Sequence, residues 1–74
     1  MTSLYFREST YSREYDTATE IPDDIIRNNT AAARNILDNP AKFPKANLVE
    51  IEADFIFLDH ECLMRGITPK FLYR

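Results

Sequence analysis

Eighteen consecutive residues, Leu48 to Arg65 (LVEIEADFIFLDHECLMR), contain neither proline nor glycine and carry apolar groups on most sides. A chain of 74 residues that holds such a stretch must organise itself around it. Leu48, Ile51, Phe55, Leu58 and Cys62 recur at steps of three and four, which lays them along one side of a 3.6-residue helix. Two further apolar rows, Val49–Ile56–Leu63 and Ala53–Phe57–Met64, occupy other sides. Asn47 is placed to cap the helix, with Glu50 three residues on as in a capping box. Arg65 suits the negative end of the helix dipole, Gly66 can adopt the left-handed conformation that stops a helix, and Ile67 can fold back on the last turn. The alternative is a strand over 48–58 in an α+β fold, because Val49, Ile51, Ala53, Phe55 and Phe57 alternate with Glu50, Glu52, Asp54 and Ile56. That alternation breaks at Ile56 and Leu58, and Ala, Asp and Glu are poor strand formers. The spacing therefore predicts a helix over 48–65.

A second helix is predicted over 22–38. Pro22 suits its first position, Asp23 and Asp24 complement the positive dipole end, and Asn39-Pro40 ends it. Ile26, Ala33 and Leu37, flanked by Ile25, Thr30 and Ile36, form its apolar side. Residues 39–47, with Pro40 and Pro44, read as the connecting loop. In residues 1–20 the echo of Tyr5-Phe6-Arg7-Glu8 in Tyr11-Ser12-Arg13-Glu14 has a period of six, and in extended form Tyr5, Arg7, Tyr11, Arg13 and Tyr15 share one face. The expectation there is an extended arm or short β-hairpin. Residues 66–74 form a short apolar tail with Phe71, Leu72 and Tyr73. The predicted fold is thus mostly α: one small domain built as an antiparallel two-helix hairpin with an N-terminal arm and a C-terminal tail.

Charge spacing predicts a register for the hairpin. Arg27 and Arg34 lie seven apart on the first helix, as Glu52 and Asp59 do on the second. Pairing Arg34 with Glu52 also pairs Arg27 with Asp59, sets Leu37 against Val49, and places the fold-back at Phe43.

Chemistry is sparse. The single cysteine, Cys62, cannot close a disulfide within the chain, and no second cysteine or histidine exists for a zinc cage. Asp59-His60-Glu61-Cys62 gathers ligand types, but adjacent helical residues diverge. Cys62 has acidic neighbours that oppose thiolate formation, and the one glycine, Gly66, excludes a glycine-rich phosphate loop. No catalytic residue, metal or cofactor is expected. A net charge of −3 is the wrong sign for a surface that grips phosphate everywhere. Neither a membrane span nor a signal peptide is read in the sequence, so the expected location is cytoplasmic.

The size and the apolar surplus point to binding. A core of this size barely offsets the entropy of ordering the chain, and one partner helix cannot cover a helix that is apolar nearly all round. The expected function is therefore a non-catalytic protein–protein interaction module that self-associates, as a homodimer, and docks on a larger protein that it regulates or inhibits. Tyr5, Arg7, Tyr11, Arg13, Tyr15, Phe57, Met64, Phe71 and Tyr73 are the expected contact residues. The alternative is a small nucleic-acid-binding regulator that uses the Tyr and Arg arm, against which Glu8, Glu14 and Asp16 stand.

Overall fold

The structure, a computed structural model, describes residues 4–68. It is mostly helical, with no strand among the described residues. Helix α1 spans Leu4–Glu8, α2 spans Asp23–Asp38 and α3 spans Leu48–Arg65. Short 3-10 turns occupy Thr10–Arg13, Ala18–Glu20 and Pro40–Lys42.

The ends of α3 fall where the sequence places them. The Asn47 side chain accepts a hydrogen bond from the Glu50 amide at 3.2 Å. At the other end Gly66 takes a φ of 70°, and the Ile67 amide donates back to the Cys62 carbonyl at 2.8 Å. Ile67 then packs against the core, so the turn that stops the helix also adds an apolar contact. The α2 entrance differs by one residue: Pro22 stands just outside the helix, and Asp23 and Asp24 fill its first turn.

The core lies between α2, α3 and the N-terminal segment. Its fully buried members are Phe6, Ile21, Ile26, Ala33, Phe57, Leu58 and Cys62. Contacts between α2 and α3 run in opposite chain directions: Asp23 meets Arg65, Thr30 meets Cys62, and Arg34 lies over Phe55. Thr30 is buried without strain because its hydroxyl donates to the Ile26 carbonyl at 2.6 Å, leaving no orphaned polar atom against Cys62.

Three expectations are overturned here. The strand over 48–58 is not formed, because those residues belong to α3. The N-terminal arm is not extended; it is α1 followed by two 3-10 turns, folded onto α3. Phe6 drives this by burying its ring against Phe57, with centroids 5.5 Å apart, while Tyr11 packs on the same ring at 5.8 Å. The carboxylate of Asp54, buried on α3, then holds the segment: it accepts from the Thr10 amide at 2.7 Å and from the Thr10 hydroxyl at 2.6 Å. A negative charge at the first amides of the turn does for Thr10–Arg13 what a capping residue does for a longer helix.

The third is the charge register. Arg34 pairs with Asp38 on its own helix at 2.7 Å and lies 5.0 Å over the Phe55 ring, not opposite Glu52. Arg27, Glu52 and Asp59 are exposed. The side of α3 turned to α2 carries Phe55, Leu58, Cys62 and Arg65, and Glu52 and Asp59 lie roughly 90° round the helix from it. Burial of that side sets the packing, and solvent-exposed ion pairs are too weak to oppose it.

Candidate functional site

Among the described residues every buried side-chain nitrogen and oxygen has a hydrogen-bond partner. Arg65 carries the largest share. Its guanidinium donates to the Ala18 carbonyl at 2.7 Å, the Ile21 carbonyl at 2.6 Å, Asp23 at 2.8 Å and Glu61 at 3.2 Å. The planar fork of an arginine suits this work, and a lysine could not span it. Asn29 donates to the Tyr11 hydroxyl at 2.7 Å. Burial pushes the Tyr11 phenol above its ordinary value of 10.0; the Asn29 bond lowers it, and the charges of Asp54 and Glu14 raise it further.

Among the described residues no three His, Cys, Asp or Glu side chains converge as a metal cage would require. Cys62 is buried, with its sulfur 3.4 Å from the Thr30 hydroxyl. Asp59 and His60 point to the outer groove described below, while Glu61 turns inward to Arg65. No helix among the described residues is long and apolar enough to cross a membrane.

The distinctive surface is the outer face of α3. Val49 is 80% exposed, Ile56 44%, Leu63 78% and Met64 70%. Val49, Ile56 and Leu63 are spaced by seven, so they form one row along the helix, about 21 Å long at 1.5 Å per residue. Beside this row lies Tyr5 of α1, whose ring is 5.2 Å from that of His60. The step between α1 and α3 makes a groove in two lobes. One, of about 270 Å³, is lined by Tyr5, Glu8, Val49, Glu52, Ala53 and Ile56; the other, of about 240 Å³, by Tyr5, Phe55, Ile56, Asp59, His60 and Leu63. The apolar floor is thus bordered by three carboxylates, Glu8, Glu52 and Asp59.

The expected contact residues fare unequally. Tyr5 lies in the groove, and Met64 is exposed but lines neither lobe. Phe57 is fully buried, at 0% exposure, with the rings of Phe6 and Tyr11 packed on it, so it is a core residue and not an exposed contact. Arg7 is exposed, Arg13 reaches Glu50 at 3.8 Å, and Tyr11 and Tyr15 are half-buried against the core. The face these five arm residues would share in extended form is therefore not formed. Phe71 and Tyr73 lie outside the described residues. Glu52 and Asp59, expected to pair with α2, border the groove instead. Val49, Ile56 and Leu63 were legible as a row but were not singled out for contact; the signal was their seven-residue spacing beside acids that repeat at the same interval.

Comparison of the chain with protein-family models, with curated proteins and with solved structures finds no match.

Proposed function

We propose that this chain is a non-catalytic protein–protein interaction module whose working surface is the outer face of α3. The observation that carries this reading is the row Val49–Ile56–Leu63, which the fold leaves in water although it fills the interior with other parts of the same helix. Scattered exposed apolar residues need no explanation, but a contiguous row beside a groove is the form that helix and peptide recognition takes. The polar interior supports the same reading, because Asp54, Glu61, Arg65 and Asn29 are engaged in structural bonds. Association through this face, with a larger protein or with a second copy, is the role that follows, and the partner is regulated by being covered.

The test is comparative capture. Tagged full-length chain and its Val49→Asp plus Leu63→Asp variant, both checked for helical circular dichroism, are used as bait in the same extract. The reading expects a set of proteins, or the untagged chain itself, that the parent retains and the variant loses. Identical captures by the two baits would overturn it. Since both positions are exposed, the variant should keep the parent's stability to within about 0.5 kcal/mol.

A further inference from the structure

Resting on the reading of this face as an interface, we infer that its occupant is an amphipathic helix with basic edges, supplied by another protein, and not a second copy of α3. The floor of the groove selects an apolar row of matching length, and its borders select charge. Glu8, Glu52 and Asp59 line the two lobes, and among the described residues no lysine or arginine does. Arg34, which lies over Phe55, is already engaged by Asp38 at 2.7 Å and 3.0 Å.

Self-pairing fails on the same geometry. Glu52 and Asp59 repeat at seven residues along one edge of the Val49–Ile56–Leu63 row, so they occupy the inner flank of any helix laid on it. Two copies of α3 packed antiparallel about Ile56 bring Glu52 of each beside Asp59 of the other. Packed parallel, each acid meets its own counterpart. Both arrangements place like charges at the seam, where they act as repulsion against the homodimer. A helix carrying Leu or Ile at alternating steps of three and four with Lys or Arg beside them meets both demands, and a span of about four turns covers the row.

The experiment uses three designed helical peptides of that length and the full-length chain. One has a leucine row edged with lysine, one the same row edged with glutamate, and one the lysine edges with serine replacing leucine. Binding is read by fluorescence anisotropy at low and moderate salt. The lysine–leucine peptide should bind about tenfold more tightly than either control, and the Glu52→Lys plus Asp59→Lys variant should reverse the preference between the lysine and glutamate peptides. Equal binding of both leucine peptides, no binding by any of the three, or no reversal in the charge variant would overturn the inference. Sedimentation showing a dimer that Ile56→Asp dissociates would also overturn it while leaving the face an interface. A preference for lysine that Ile56→Asp leaves unchanged overturns the reading of the face itself, since the apolar row would then play no part.

Discussion

Asp54 shows how much of this fold depends on single side chains. Placed among apolar residues of α3, it is buried with both carboxylate oxygens committed to Thr10. Asp54→Ala removes both acceptors and leaves the Thr10 amide without its partner, which should cost about 1–3 kcal/mol in chemical denaturation. Thr10→Val, which removes only the hydroxyl bond, should cost less, and in the double variant the two losses should not add. A cost for Asp54→Ala under about 0.5 kcal/mol would mean that the N-terminal segment is held by its other contacts, Phe6 and Tyr11 on Phe57 and Arg65 on the Ala18 and Ile21 carbonyls. Tyr11 makes a second prediction at this scale. Its phenol ionises at higher pH in the folded chain than in the unfolded one, so folding holds on to a proton that the unfolded chain releases. The sign follows: this contribution is fully present below the unfolded value of about 10 and is lost as pH rises from there through the folded value. Thermal melts between neutral pH and pH 11 should show an alkaline decline that Tyr11→Phe blunts, at the expense of the Asn29 bond at neutral pH.

At the scale of elements, the two long helices were legible and the N-terminal one was not. α3 has its periodicity, its Asn47 cap and its Gly66 stop written locally, and all three are found. Gly66 gives a clean test. A methyl group at Gly66 would meet nothing within 4 Å, so Gly66→Ala carries only the conformational cost of a φ of 70°. The expected loss is about 1–2 kcal/mol by thermal or chemical denaturation, and Gly66→Asn, which tolerates this region better, should lose less. α1 has no such local signals. A helix of five residues is too short to hold itself, and it exists because Phe6 reaches Phe57 and Asp54 reaches Thr10, contacts across more than forty positions that no local pattern contains. The β-favouring tyrosines and threonines of that segment pointed the other way, and tertiary burial overrode them. The charge register misled for the converse reason: evenly spaced arginines and acids look like partners, but Arg34 gains more from the adjacent Asp38 and the Phe55 face than from reaching round α3 to Glu52.

For the whole molecule, the surplus of apolar surface on α3 was legible, and the side on which it would remain was not. Three rows could be drawn on that helix, and choosing the exposed one required knowing that the N-terminal segment covers Phe57 while α2 covers Leu58 and Cys62. Once those two sides are filled, the row Val49–Ile56–Leu63 stays exposed, along with Leu48 and Met64, and Glu52 and Asp59 border it. The acids that seemed to belong to the fold belong instead to its outer surface.

The bonds of Asp54 and Arg65 also span most of the described chain. Thr10 is bonded to Asp54, 44 positions away, and the carbonyls of Ala18 and Ile21 to Arg65, 47 and 44 positions away. The segment before α2 is thus tied to both halves of α3, with Phe6 and Tyr11 on Phe57 between them and the Asn29–Tyr11 bond to α2 itself. Each of these bonds closes a long loop of chain, so the segment before α2 is ordered only where the burial of Phe6 and the bonds of Asp54 and Arg65 together outweigh the entropy of that closure.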